Sequence, residues 1–143
     1  MVNMAKTVMI FGTFDILHSG HLSLMRQAKK LGETLIVVVA RDQRVKKIKG
    51  SFPIHSEHER VDFLSEITLV DRVILGGARD VYQVIKKIKP GIIALGYDQK
   101  IFVDDLQSTL DRFSLSTKIV RLKPYKSKTR KSDIIKKHLL KTV

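Results

Sequence analysis

Apolar positions along the chain follow two rhythms in turn. Residues 7–11 (TVMIF) form a short apolar run stopped by Gly12, the pattern of a buried strand. His21, Leu24, Met25, Ala28 and Leu31 then recur at the spacing of one helix face, and Gly32 follows as a stop. Residues 34–40 (TLIVVVA) are unbroken and β-branched, which predicts a strand covered on both faces. The hydrophilic stretch 41–52 reads as a loop. Ser56 with Glu59 three positions on is a capping-box signature, and the helix it opens is expected to bury Val61, Leu64 and Ile67. Residues 72–75 predict a third strand, and Val81, Val84, Ile85 and Ile88 a helix closed by Pro90. Residues 91–95 predict a fourth strand, Leu106, Leu110 and Phe113 another helix, and 118–122 (KIVRL) a fifth strand. Ser132 reads as the N-cap of a last helix reaching about Leu140.

Strands alternating with amphipathic helices imply βαβ units. The expected fold is α/β: a Rossmann-like open parallel sheet of about five strands with flanking helices. The 143 residues suit a single domain, 1–143, and show neither repeat nor linker. In open parallel sheets ligands sit outside the carboxyl ends of the strands. The loops to search are therefore 12–17, 41–52, 76–77, 96–102 and 123–131.

Composition removes several classes of function. With 43% hydrophobic and 29% charged residues the chain is globular, and the absence of cysteine excludes disulfides and Cys-ligated metal centres. The longest apolar run, 35–40, is far short of the ~20 residues of a membrane helix, and the N-terminus lacks a signal-peptide core. A soluble cytoplasmic protein with no membrane partner is expected.

Charge sharpens the picture. The net +13 is concentrated: residues 41–50 hold five basic residues and one acidic, 118–143 hold ten and one, and the remainder balances. Both segments lie on the ligand side of the expected sheet, which points to a phosphate-bearing ligand. A nucleic-acid-binding module is the rival class. Against it, aromatic residues are only 6% and no RRM, KH or helix-turn-helix signature is present, so no nucleic acid is expected as partner.

The first strand-to-helix loop carries the chemistry. Residues 12–21 read GTFDILHSGH, neither GxGxxG nor a P-loop. His18 and His21 fall where a helix begins, a position that already favours anions through unpaired N–H groups and the helix dipole. Their imidazoles can add donors to phosphate oxygens, and Gly20, lacking Cβ, lets phosphate approach the backbone. Neither a third ligand nor HExxH spacing supports zinc, so no protein-held metal is expected.

This string resembles the signature of the HxGH nucleotidyltransferases, in their cytidylyltransferase-like branch. Weaker matches follow in the family's order: Lys46, Lys47 and Lys49 after the second strand, Glu59-Arg60 at the next helix, Gly96-Tyr97-Asp98 after the fourth strand, and Arg130-Lys131-Ser132-Asp133-Ile134 at the last helix. Gln99 stands where the glycerol-3-phosphate cytidylyltransferases carry tryptophan, and Ala40-Arg41-Asp42 replaces their STDE-like string. The combination of Ala40-Arg41-Asp42, the following KKIKG, LGYDQ and a Lys-rich tail is most similar to archaeal-type FAD synthases, which are FMN adenylyltransferases.

The resemblance implies the HxGH nucleotidyltransferase fold and transfer of AMP from ATP to FMN, giving FAD and pyrophosphate. It implies ATP and FMN as substrates and a divalent cation, magnesium, carried with ATP; Asp15 is the candidate to touch that ion. It implies His18, His21, Lys46 and Arg130 as catalytic groups, with Lys49 the alternative to Lys46. Gly12, Thr13, Phe14, His18, Ser19, Gly20, His21, Asp98, Tyr125, Arg130 and Ser132 would bind nucleotide. The basic segment 118–143 would complete the site, and a homodimer is compatible with the family. A CTP-dependent glycerol-3-phosphate cytidylyltransferase and a heptose-phosphate nucleotidyltransferase are the alternatives.

Overall fold

The computed structural model describes residues 6–100 and 103–125. The sheet is built from β1 (Thr7–Gly12), β2 (Thr34–Val39), β3 (Arg72–Leu75), β4 (Ile92–Leu95) and β5 (Lys118–Arg121). Between them run α1 (Ser19–Lys30), α2 (Asp42–Lys49), α3 (Glu57–Ser65), α4 (Gln83–Ile88) and α5 (Leu106–Arg112). Every strand pairing is parallel, as the alternation of strand and helix requires.

The strand order is β3-β2-β1-β4-β5. The chain steps outward from β1 through β2 to β3, then crosses to the other side of β1 for β4 and β5. The switch in strand order therefore falls beside β1, and the crevice above it opens at the loop that carries the two histidines.

Alternation along β1 splits the core in two. Val8 and Ile10 face Met25 and Ala28 of α1 and Leu64 of α3. Met9 faces Ile85 and Ile88 of α4 and Leu106 and Leu110 of α5. Burial on both faces explains why β1 and β2 are continuous apolar runs.

Two expectations are corrected. Much of 41–52, read as a loop, is the eight-residue helix α2, ended by Gly50 in the left-handed conformation (φ 87°). Its four basic residues, Arg44, Lys46, Lys47 and Lys49, obscure its stripe of Val45 and Ile48. The helix opened by Ser56 stops at Ser65, so Ile67 packs against the core from the following turn. Ser56 does form the capping box with Glu59. The last helix expected at Ser132 lies outside the described residues. No helix among the described residues is long and apolar enough to cross a membrane.

Candidate active site

The site begins with a tightly folded loop after β1. Phe14 adopts φ 52°, a left-handed conformation costing a non-glycine residue about 1–3 kcal/mol, and its ring is buried. A Cβ on Gly12 would fall 2.8 Å from that ring. Only glycine at position 12 lets Phe14 fold back under the strand end.

Asp15 anchors the loop from below. Its two carboxylate oxygens accept the backbone N–H groups of Ile54 (2.7 Å) and His55 (2.8 Å), which ties the loop to the chain entering α3. Arg60 of α3 is fully buried and gathers the surrounding chain. It donates to the carbonyls of Thr13 and Ala40 (2.8 Å each) and His55 (3.1 Å), and pairs with Asp42 at 2.7 Å. The matched ER pair thus contributes an organising residue here: Arg60 joins the ends of β1 and β2 to the start of α2.

The histidines cap α1. His18 is the N-cap: its Nδ1 accepts Gly20 N–H at 3.0 Å, while His21 Nδ1 accepts His18 N–H at 3.3 Å. A nitrogen that accepts cannot also carry the proton. Both neutral rings therefore hold their hydrogen on Nε2. The rings lie 4.0 Å apart, with Phe14 edge-on to His21 at 5.5 Å. A Cβ on Gly20 would fall 2.7 Å from His18 Cε1, so Gly20 first makes room for this imidazole.

Beside the loop, a cleft opens to solvent at the carboxyl ends of β1, β2 and β3. Phe11, Val38, Val45, Ile48 and Val81 give it apolar walls, and Gly12 and Thr13 form its β1 edge. Arg41, the N-cap of α2, and Arg44 and Lys49 within the helix also line it. Together with Val45 and Ile48 these are spaced as one helix face.

That spacing separates the two candidate lysines. Lys49 Nζ reaches Thr13 Oγ1 at 3.4 Å, whereas Lys46 sits off the lining face with its ammonium 5.0 Å from the centre of the Phe52 ring. Gln99 closes the β4 side. Paired residues of β1 and β4 end at Met9 and Ile93, and above them Gln99 bridges the strands. Its Nε2 donates to Phe11 O (3.2 Å) and its Oε1 accepts Gly96 N–H (3.3 Å). Arg121 holds the same turn through the carbonyls of Gly96 and Gln99.

Asp98 is exposed in that turn, and Tyr125, 41% exposed, follows β5. Arg130 and Ser132 lie outside the described residues. Gly12 through His21 are thus brought together by a single turn, with Lys49 alongside. Sequence reasoning noted Gln99 only as a replacement for tryptophan and passed over Arg44, for which the helical spacing of 41, 44, 45, 48 and 49 was the available signal.

Beyond Gly77, Asp80 accepts Tyr82 N–H (2.9 Å) and Gln83 Nε2 (3.1 Å), which hold its carboxyl below the usual range, with Arg112 and Arg44 adding to the effect. Burial pushes the Tyr82 hydroxyl up, reinforced by Asp105 and Asp80.

Known proteins resemble this chain over most of its length. The pattern of the cytidylyltransferase-like family matches residues 9–137. A protein from Thermoplasma volcanium named FAD synthase is 40% identical over 136 residues, 95% of this chain and 95% of that protein. One of the same name from Pyrococcus horikoshii is 40% identical over 134 residues, covering 91% and 90%. A crystal structure described as the lipopolysaccharide core biosynthesis protein from Thermoplasma volcanium has TM-score 0.78 and 44% identity, covering 83% of this chain and 97% of that one.

Proposed function

The chain belongs to the cytidylyltransferase-like family, and we propose that within it the protein is an FMN adenylyltransferase, transferring AMP from ATP to FMN. Relatives named FAD synthase, about 40% identical over nearly the whole chain, support this donor and acceptor over the cytidylyl and heptose-phosphate alternatives. The observation in the fold that carries the reading is the apolar cleft, rimmed by cations, directly beside the histidine-capped start of α1. A flavin mononucleotide has a large flat apolar body and a dianionic end, and the cleft offers a complement to both.

In this reading the triphosphate lies at the α1 N-terminus, where helix dipole and histidine Nε2–H groups attract it. An FMN phosphate oxygen attacks the α-phosphorus in line, and the bond from that phosphorus to pyrophosphate breaks. The nucleophile is already an anion at neutral pH, so no base is required. The protein positions the reactants and offsets the charge developing on pyrophosphate.

Thr13 and Lys49 stand where the acceptor phosphate would meet the α-phosphorus, so Lys49 takes the role expected of Lys46. Asp98 and Tyr125 would contact ribose or base, and Arg130 and Ser132 the β and γ phosphates, completing a single domain with its basic segment 118–143. The divalent cation that such enzymes use would come as magnesium on ATP. Asp15, the residue expected to touch that ion, accepts the backbone N–H groups of Ile54 and His55.

The test is a donor and acceptor panel with magnesium: ATP or CTP, each with FMN or glycerol-3-phosphate, products separated by chromatography. FAD from ATP and FMN alone is expected. CDP-glycerol without FAD would overturn the reading.

A further inference from the structure

We propose that Arg44 determines specificity for the acceptor's ring, its guanidinium pairing with a flavin edge that presents two adjacent hydrogen-bond acceptors. This rests on reading the cleft as the FMN site.

The argument starts from the course of α2 across the cleft. Its first end is tied to the β3 side, where Arg41 Nε donates to Gly76 O at 2.7 Å. Its last residue reaches the β1 side, where Lys49 meets Thr13. The reacting phosphate belongs at the second end, next to α1. Arg44 precedes Lys49 by five residues, about 7.5 Å along the helix axis, and both line the cleft. The rest of the acceptor must therefore extend toward Arg44.

Arg44 is half-buried and lines the cleft with Gly77 and Val81. It makes no hydrogen bond or ion pair with another described residue. The nearby Asp80 carboxylate attracts it at longer range but spends its oxygens on Tyr82 N–H and Gln83. A planar fork of N–H donors beside an apolar wall suits a flat partner bearing two acceptors side by side. The isoalloxazine has two such edges, N1 with the C2 carbonyl and N5 with the C4 carbonyl. Its N3–H edge, a donor, is unsuitable.

The experiment measures steady-state kinetics of the full chain with ATP and three acceptors: FMN, and FMN with sulfur replacing oxygen at C2 or at C4. Sulfur accepts hydrogen bonds poorly. The wild type should show a KM for one thio-flavin roughly 10-fold or more above that for FMN, the scale of a hydrogen bond to a charged group. Arg44→Met should raise the FMN KM by a similar factor, erase the difference between the flavins, and leave kcat and the ATP KM within about two-fold. Arg44→Lys, which keeps charge but not the fork, should not restore discrimination. An unchanged FMN KM in Arg44→Met, an equal rise for all three flavins, or a fall in kcat alone would overturn the proposal. A wild type that makes no FAD would instead locate the failure in the assignment of the reaction.

Discussion

Asp42 and Glu57 cap each other's helices. Asp42 N–H donates to Glu57 Oε1 at 2.9 Å, and Glu57 N–H donates to Asp42 Oδ2 at 3.2 Å. The two residues are the first of α2 and of α3, so one reciprocal pair fixes both helix starts. Arg60, bound to the other Asp42 oxygen, locks the pair to the ends of β1 and β2.

Arg60→Met should accordingly cost stability before it costs chemistry. It leaves the carbonyls of Thr13, Ala40 and His55 without their donor and Asp42 without its countercharge. Breaking a buried pair costs about 3–5 kcal/mol. Urea unfolding should show a loss of that order; a loss under about 1 kcal/mol would refute the role given to Arg60.

Two roles of His18 can be separated by substitution. In His18→Asn the side-chain oxygen can still accept Gly20 N–H, but no Nε2–H remains. Stability should stay near wild type while turnover falls about 10²–10³-fold, as for loss of one preorganised donor. His18→Ala should show the same kinetic loss plus about 1 kcal/mol for the missing cap. Thermal melts and single-turnover rates on both variants distinguish the cases.

Gly20→Ala inverts the usual helix rule. Alanine in a helix ordinarily gains up to about 1 kcal/mol over glycine. Here its Cβ meets the His18 imidazole, which must leave its capping position. Activity should drop at least about ten-fold, one decade per 1.4 kcal/mol of lost positioning, without any gain in stability. A more stable and fully active variant would contradict this.

Lys49→Ala should lower kcat for FAD formation well beyond Lys46→Ala. Lys49 lines the cleft beside Thr13, and Lys46 lies over Phe52. Comparable kcat losses in both would show that the helix face does not select between them.

Acid should weaken the fold through Asp71 and Asp80. Burial raises the Asp71 carboxyl, but the Lys29 ammonium and Leu35 N–H bound to it outweigh that and hold it low. Asp80 is held low chiefly by Tyr82 N–H. Both carboxyls titrate lower in the folded chain than at the ordinary value near 3.9 in the unfolded one. Their contribution is complete above about pH 4 and is lost as pH falls through the folded values. Asp71→Asn and Asp80→Asn should each flatten the rise of stability with pH across that window, as read by urea midpoints.

Much of this protein was legible as a string of residues. Unbroken β-branched runs give strands buried on both faces, the Ser56–Glu59 pair gives a helix start, and GTFDILHSGH marks the ligand end of the sheet, because those signals are local. Helix α2 was hidden because charge dominates its composition, and only its buried Val45 shows which face turns inward. The choice of Lys49 over Lys46 at the cleft, the tautomers of His18 and His21, and the commitment of Asp15 and Arg60 to backbone groups far along the chain were decided by tertiary structure. Each depends on where a side chain ends in space relative to another segment, a distance that sequence order does not encode. The sequence determined which residue types stand at the carboxyl end of the sheet, and the packing of β1, α2 and α3 decided which individual atoms are brought together there.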